Sequence, residues 1–416
     1  MVQTIVAFGA LFTATLMLLT GNGLLGTLLS TRMALTGFST AVSGVVLSCY
    51  FMGLLAGSML CQSLIQRVGH IRAFTVFAAI TTAAALLHSL YITAWFWALL
   101  RFASGITAFG LFMVIESWLN ECTEPHSRGR VFSIYMTLAY LGISIGQQLL
   151  NVGDILGKDL FVIAGVLFAL CLIPVSATSG VHPRLPETKP YHFMEIFRKS
   201  PLGMLGSMAA GLTNSAFYAM TPLFCTRIGL PLNHLSLVMT TTVFTGLTAQ
   251  WTVGSLSDRL DRTFMLTVTA AAIAGFSLLV FLLGLTDFWI VIAEMALLGV
   301  MMFAVYPVAV ARAHDIFGGQ EAVAVSAALL FAYSIGASLS PILASGLMTL
   351  LNTPFGLFAF WAIVNAALAG ITLYLRKREK IEIVPVEEQV AFVPMRSTTP
   401  VATALDPRAE PDTDTV

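Results

Sequence analysis

The chain contains twelve apolar runs that are each long enough to cross a lipid bilayer as a helix. A spanning helix needs about 20 apolar residues, because every backbone polar group in the hydrocarbon layer must be hydrogen-bonded within the segment. The runs lie near residues 5–29, 40–65, 73–92, 95–118, 130–153, 158–177, 203–226, 234–256, 264–285, 288–311, 322–349 and 355–376. The sequence therefore predicts an all-α polytopic membrane protein with twelve transmembrane helices.

The composition excludes several other classes of protein. With 57% hydrophobic and 10% charged residues, the chain has too few polar side chains to cover a soluble globule. Long apolar runs, rather than alternation over about ten residues, argue against an outer-membrane barrel. Residues 1–4 carry no Lys or Arg and the first run is long, so we expect a spanning helix there and not a cleavable signal peptide.

The basic residues predict the orientation of the helices. With a cytoplasmic N-terminus, nearly all loop Arg and Lys residues fall on the cytoplasmic side, and only Arg32, Lys158 and Arg227 fall outside. This asymmetry satisfies the positive-inside rule and predicts that both termini are cytoplasmic. The charges are spread along the loops and form no basic groove, so we expect no nucleic-acid partner.

A short charged hairpin occurs twice between long apolar runs, with the copies 192 residues apart. The clearer copy is Gly254–Arg262, and the weaker copy is Gln62–Arg72. Three further pairs share this offset to within two residues: Asn22 and Asn214, Arg101 and Glu294, and Gly142 and Gly336. A repeat at about half the chain length predicts two pseudo-symmetric six-helix halves, an arrangement typical of membrane transporters.

The repeat also predicts the boundaries of the domains. We expect an N-terminal six-helix half over residues 1–178, a cytoplasmic linker over 179–200, a C-terminal six-helix half over 201–376, and a disordered cytoplasmic tail over 377–416. The tail is rich in Pro, Thr and Asp and has too little apolar surface to fold alone. The small-residue patterns at Gly142/Gly146 and Gly336/Ser340 allow close helix contact, and we expect them to pack where the two halves face each other.

The hairpin and one intramembrane motif resemble the signatures of the major facilitator superfamily. Gly254–Arg262 matches the family loop pattern G-x-L-a-D-R-x-G-R except at Asp261, and Arg101–Gly105 matches its R-x-x-x-G pattern. Stretches such as Ser48–Gly53 and Tyr306–Ala309 resemble the YcaD-like bacterial branch of that family. The resemblance implies the major facilitator fold, placement in the bacterial inner membrane, and a monomeric carrier.

The two copies of the loop differ in charge. A loop acid can hold a helix N-terminus and a nearby Arg, and can thereby latch one conformation. Asp258 supplies that acid in the second half, whereas Gln66 replaces it in the first, so we expect a weaker latch there. The candidate gating residues are Gln66, Arg67, Glu116, Arg128, Arg130, Asp258, Arg259 and Arg262. The alternative is that these are solvated loop charges. For Glu116, placed by its depth at the cytoplasmic surface, we favour a structural or gating clamp over a role in binding substrate.

Arg101 and Glu294 are the two charges expected deep in the apolar region. A charge there costs at least about 2.5 kcal/mol and is a functional-site hypothesis by default. The repeat places them at equivalent depths, so they could face one cavity from opposite sides. Glu294 could exchange a proton, Arg101 could hold an anionic substrate, or the pair could lock the halves together. The other candidates for the substrate and proton pathway are Asn22, Asn214, Tyr50, Gln147, Tyr218, Gln250 and Tyr306.

These features favour a secondary active transporter that moves a small organic solute by alternating access. We expect proton coupling, and on family grounds export; proton-linked uptake of an organic anion or nutrient fits the same residues. A receptor or scaffold without transport is the third possibility. We expect no enzyme, because the apolar runs contain no HExxH, GxSxG or acidic pair. We also expect no cofactor and no metal, because the five cysteines are scattered singly and Gly318-Gly319 starts no phosphate-binding loop.

Overall fold

The fold is a bundle of long helices. The computed structural model describes residues 2–124, 127–176, 193–317, 321–377, 384–385, 388–390, 392–393, 395–397 and 399–405. Residues 179–192 of the predicted linker lie outside these ranges, and its last residues, 193–200, are described. The described part of the chain is overwhelmingly helical, which confirms the predicted all-α class.

The helix boundaries follow the predicted apolar runs. In the first half the helices are α1 (Val2–Leu35), α2 (Thr40–Val68), α3 (His70–Leu87), α4 (Ala94–Cys122), α5 (Arg128–Gln148), α6 (Asp159–Leu170) and α7 (Leu172–Ser176). In the second half they are α8 (Phe193–Lys199), α9 (Pro201–Arg227), α10 (Leu232–Ser257), α11 (Arg262–Leu283), α12 (Phe288–His314), α13 (Ala322–Leu350) and α14 (Gly356–Lys377). The sixth predicted run is divided between α6 and α7, and α8 is a short helix before the seventh run.

Nine segments within the described ranges, one of them α6 and α7 together, are long and apolar enough to cross a membrane by length and composition alone. Of the twelve predicted runs, those in α5, α9 and α10 are less apolar. Each of these three helices carries polar side chains that face the interior of the bundle, among them Gln147 in α5 and Asn214 in α9. A helix buried among others can carry such residues, because its polar groups contact protein rather than lipid.

The two halves repeat the same helix packing. In the first half α1 packs on α5 and α2 packs on α4; in the second half α9 packs on α13 and α10 packs on α12. These are the helices that the offset of 192 residues pairs with one another. The duplication predicted from the hairpin therefore extends to the three-dimensional packing.

The small-residue patterns lie inside each half, so the expectation that they pack between the halves was wrong. A Cβ atom added at Gly146 in α5 would lie 2.2 Å from the backbone oxygen of Thr20 in α1. Ser340 in α13 donates a hydrogen bond of 2.5 Å to the backbone oxygen of Leu212 in α9. Small residues are needed where two helix backbones approach most closely, and that approach occurs between neighbours of one half.

Direct contacts between the halves hold one end of the bundle together. We call the end with the α7–α9 connection the linker end and the opposite end the far end; successive helices alternate between them. At the far end Ser30 donates to the backbone oxygen of Ala219 at 2.6 Å, and Gln148 donates to the Thr240 hydroxyl at 2.8 Å. Gly44 of α2 also lies against Ser345 of α13. The far end is therefore closed.

The tail was predicted to be disordered from residue 377 onward, and its described residues instead lie against the helices. Lys377 still belongs to α14, and Pro400–Leu405 form a 3-10 helix that contacts α4, α5 and α13. Val393, Met395 and Val401 are buried. The tail cannot bury these apolar side chains by itself, but surfaces of both halves together provide a place for them.

Candidate functional site

A cavity of about 140 Å³ lies between the two halves. Seven of the side chains predicted for the substrate pathway line it: Asn22, Tyr50, Arg101, Gln147, Asn214, Tyr218 and Tyr306. They come from α1, α2, α4 and α5 of the first half and from α9 and α12 of the second. The cavity is therefore built from both halves, as a site between two moving domains must be.

Arg101 lies in the wall of this cavity. Its side chain is buried, and its guanidinium carbon lies 4.2 Å from the centre of the Tyr50 ring. A cation over an aromatic face is stabilised by the ring quadrupole, and more so where water is excluded. The Nε–H group of Arg101 has no hydrogen-bond partner among the described residues. Arg101 therefore retains a donor that a bound molecule could use.

Aromatic side chains form much of the remaining wall. Phe303 lies 6.1 Å from Tyr140 and 6.0 Å from Tyr218, measured between ring centres. Tyr306 and Tyr333 are in contact, with ring centres 5.1 Å apart. Rings of this kind give an organic solute a large apolar contact area and a few hydroxyl groups for orientation.

Several amide and hydroxyl groups at the cavity lack a partner in the described parts of the chain. They include the side-chain nitrogen of Asn22, the side-chain oxygen of Gln147 and the hydroxyl of Tyr218. A buried polar atom without a hydrogen bond is unfavourable by about 1–3 kcal/mol. These atoms are therefore ready to bind a polar solute or water.

Gln250 lies one layer behind the cavity wall. Its side-chain nitrogen donates to the Tyr140 hydroxyl at 2.8 Å and to the backbone oxygen of Met395 at 3.2 Å. It was predicted as a pathway residue, but the residue that lines the cavity at this point is Tyr140.

Glu294 is not brought together with Arg101. Glu294 is buried in α12, but the residues of α12 that line the cavity are Phe303 and Tyr306. Phe303 follows Glu294 by nine residues, which at about 3.6 residues per turn places it on the opposite face of the helix. Arg101, in contrast, precedes the cavity residue Phe112 by eleven residues, about three full turns. Arg101 and Glu294 therefore lie at equal depth in their helices, but they do not face the same cavity.

A cluster of charges surrounds Arg262 at the linker end. The Arg262 side chain is completely buried and forms ion pairs with Asp258, at 3.3 Å, and with Asp315. It also donates to the backbone oxygen of Ala311 at 3.0 Å. Burial raises the pKa of Asp315, and the positive charge of Arg262 opposes that rise. The cluster joins the α10–α11 loop to the end of α12, and Asp315 is the member that the sequence did not indicate.

Apart from Glu116, the candidate gating residues outside this cluster are more exposed than Arg262. Gln66 and Arg67 are exposed, and so are Arg130 and Arg259, while Arg128 is half-buried. In the second loop the acid Asp258 pairs with the buried Arg262, whereas the first loop has Gln66 at the equivalent position; a weaker latch in the first half stays a prediction.

Glu116 was placed at the cytoplasmic surface by its depth in the fourth run, and that placement was wrong. The residue is at the linker end of α4 but is fully buried. Its carboxylate accepts hydrogen bonds from the Tyr135 hydroxyl, at 2.7 Å, and from the Thr399 hydroxyl of the tail. The tail covers the Glu116 carboxylate. The position of Glu116 along the fourth apolar run could not reveal this contact.

Several cavity residues were not among the predicted site residues. Among them are Tyr140, Phe303, Tyr333 and Ser334 of the helices, and Met395, Arg396 and Ser397 of the tail. A tyrosine within a predicted span could have been identified as a cavity residue from the sequence. The sequence around Arg396 contains no feature that indicates a position at the cavity. Among the described residues, no three His, Cys, Asp or Glu side chains form a group that could hold a metal ion.

Comparison with known proteins identifies relatives along most of the chain. A family model described as Major Facilitator Superfamily matches residues 11–341 and 232–405. The MFS-type transporter YcaD of Salmonella newport is 30% identical over 345 residues, covering 80% of this chain and 86% of that protein. YcaD of Salmonella typhimurium matches with the same identity and coverage.

The fold is also similar to that of a solved transporter. The crystal structure of the nucleoside transporter NupG superposes with a TM-score of 0.73 at 14% sequence identity. The alignment covers 89% of this chain and 99% of NupG. At this identity the likeness concerns the fold alone.

Proposed function

The chain belongs to the major facilitator superfamily and is a multi-pass membrane transporter rather than an enzyme, and from that premise we propose that it exports a small organic solute through the central cavity, coupled to protons. The solute binds between the halves, and rocking of the halves exposes the cavity to each side of the membrane in turn.

The cavity itself is the observation that carries this proposal. It takes residues from both halves and combines aromatic rings with polar atoms that have no partner in the described chain. The far end is closed by contacts such as Ser30 to Ala219 and Gln148 to Thr240. These contacts would have to separate for the cavity to open at that end, which is the motion that alternating access requires.

Glu294 is our candidate for the proton site. It is buried within α12, and its Oε2 atom has no hydrogen-bond partner among the described residues. A buried carboxyl group without a counter-charge can take up and release a proton as its surroundings change, which links proton binding to conformation. Because Glu294 lies on the face of α12 opposite Phe303, the coupling would act through movement of that helix and not through contact with the solute.

The distribution of charge and the family support the proposed location and direction. The loop arginines and lysines support cytoplasmic termini in a bacterial inner membrane, with the linker end facing the cytoplasm. Export and a monomeric carrier are supported by the resemblance to the YcaD-like branch. Uptake is the same cycle driven in the other direction.

An organic anion is the second candidate for the solute. Arg101 lines the cavity, and no Asp or Glu is among the described residues that line it. A buried guanidinium with an unused N–H group favours a carboxylate or phosphate ligand. This observation supports proton-linked uptake of an organic anion or nutrient as the alternative to export.

The test is a comparison of metabolites inside and outside cells with and without the gene, followed by flux in proteoliposomes. We expect the identified solute to accumulate inside cells that lack the transporter, and we expect Glu294→Gln to abolish flux driven by a pH gradient. Glu195→Gln is the matched control, since Glu195 is half-exposed in α8 and pairs with the similarly exposed Lys199. Normal pH-driven flux in Glu294→Gln would exclude Glu294 as the proton site, and solute retained outside the cells would indicate uptake.

A further inference from the structure

The described residues from Val390 to Ala402, which we call the tail segment, enter the linker end between the two halves. Met395, Arg396 and Ser397 line the central cavity, and the following 3-10 helix contacts α4 and α5 of the first half and α13 of the second. The segment therefore lies between the halves at the linker end. The contacts that hold the halves together at the far end are at the opposite end of the bundle.

The outer part of the segment is bound by the charge cluster of the second half. The Val390 N–H donates to Asp315 at 3.0 Å, and the Phe392 N–H donates to Asp258 at 2.9 Å. Arg262 donates to the backbone oxygen of Val390. The acids and the arginine of the latch thus supply both acceptors and a donor to the backbone of the tail.

The Phe392 ring packs directly on the loop motif. A Cβ atom added at Gly254 would lie 2.5 Å from a ring carbon of Phe392. A side chain at position 254 would therefore displace the ring. The first residue of the hairpin motif provides the flat surface on which the tail rests.

The inner part of the segment reaches the first half. The Thr399 hydroxyl donates to the buried carboxylate of Glu116, and the Met395 oxygen accepts the hydrogen bond from Gln250. Val393, Met395, Val401 and Ala402 are buried. These contacts join α4 to α10, which belong to different halves.

Arg396 brings the tail into the proposed solute site. It lines the cavity and lies close enough to act electrostatically on Tyr140 and Tyr218. The neighbouring Ser397 side chain interacts with the Tyr333 hydroxyl. The tyrosines that would contact a solute in the cavity therefore also lie next to Arg396 and Ser397 of the tail.

We propose that the tail segment is an intramolecular plug that competes with solute for the central cavity and holds the linker end shut. This regulatory role rests on the proposed function of the cavity as a solute site. When the segment is bound, it blocks entry from the linker end and ties the two halves together. Release of the segment opens the cavity, so occupancy of the plug sets the fraction of transporter that is active.

Hydrogen–deuterium exchange on the full-length protein in detergent tests whether the segment is bound. We expect the peptide that contains Val390 and Phe392 to exchange at least about tenfold more slowly than an unstructured chain. Thr399→Val and Phe392→Ala should each accelerate that exchange by about tenfold or more, since the first variant loses a hydrogen bond to a buried carboxylate and the second loses the packing of a half-buried ring. Glu388→Gln is the control, because Glu388 is exposed. Unstructured exchange rates in the unaltered protein would overturn the proposal.

Access to the cavity is the second measurement. Ser334 lines the cavity, so Ser334→Cys introduces a thiol there whose labelling by N-ethylmaleimide is measured by peptide mass spectrometry. We expect slow labelling at position 334 in the Ser334→Cys protein, and labelling about tenfold faster or more when Thr399→Val or Phe392→Ala is added. Equal labelling rates, with the tail released according to hydrogen exchange, would refute the plug. Neither hydrogen exchange nor labelling at position 334 requires a solute. Absence of transport would therefore contradict the proposed function without changing the outcome of either measurement.

Discussion

Replacement of Arg262 by glutamine is the sharpest test of the charge cluster at the linker end. Arg262 is fully buried, and its partner Asp315 is only 1% exposed. Removing one member of a buried ion pair leaves the other charge uncompensated, which destabilises a protein by about 3–5 kcal/mol. Arg312 also acts on Asp315, so we expect the lower end of that range, about 3 kcal/mol. Asp258 adds little, because it is 44% exposed.

The assay is the loss of monomeric protein during incubation at a fixed elevated temperature, followed by size-exclusion chromatography in detergent. A destabilisation of about 3 kcal/mol corresponds to a rate increase on the order of 100-fold if it appears fully in the unfolding rate. Arg259→Gln is the matched control, since Arg259 lies in the same loop and is exposed. We expect that variant to behave like the unaltered protein.

The pH dependence of the same variant follows from Asp315. Burial already raises its pKa, and loss of Arg262 raises that pKa further. The folded state then binds a proton that the unfolded state releases, so stability falls as pH rises above the unfolded value of the carboxyl group. We therefore expect the defect of Arg262→Gln to be smaller near pH 5 than near pH 8. Equal lifetimes of Arg262→Gln and Arg259→Gln at both pH values would refute this account of the cluster.

Two further predictions concern packing and a buried hydrogen bond. Tyr135→Phe removes a donor from the buried Glu116 carboxylate, and we expect a loss of about 2 kcal/mol in stability, measured as a shorter lifetime of the monomer in the same assay; an unchanged lifetime would indicate that another group replaces the hydroxyl. Gly146→Val forces a side chain against the backbone of Thr20 in α1, and we expect about 1–3 kcal/mol of destabilisation or loss of folded protein. Detergent-extracted yield checks this, and a normal yield would contradict the close approach of α1 and α5.

The plan of the helices was predictable because its causes are local. A run of about 20 apolar residues must form a helix in a bilayer whatever surrounds it. The repeat offset then paired the helices correctly, and the charge patterns at Gly254–Arg262 and Arg101 matched the family to which the chain belongs. Polar residues within spans, such as Asn22 and Tyr218, line the cavity, since a lipid-facing polar group would be left without a partner.

The direction in which an individual side chain points, into the cavity or away from it, was not predictable in the same way. Arg101 and Glu294 have equal depths in their helices, but only Arg101 faces the cavity. The rotation of a helix about its axis is set by packing against its neighbours, and a helix that is apolar on all sides carries no periodic signal of that rotation. The small residues of α5 and α13 illustrate the same point, because their spacing predicts a close contact without naming the partner helix.

The amino-acid sequence by itself determined the membrane class, the twelve spans, the duplication and the chemical types available to the site. The tertiary structure alone decided that Glu294 turns away from Arg101, that Asp315 completes the cluster at Arg262, and that Thr399 covers Glu116. Span formation depends on residues within one segment, whereas the cavity and the tail contacts depend on residues separated by up to 283 positions. Such contacts arise from the shapes of surfaces that exist only after both halves have packed.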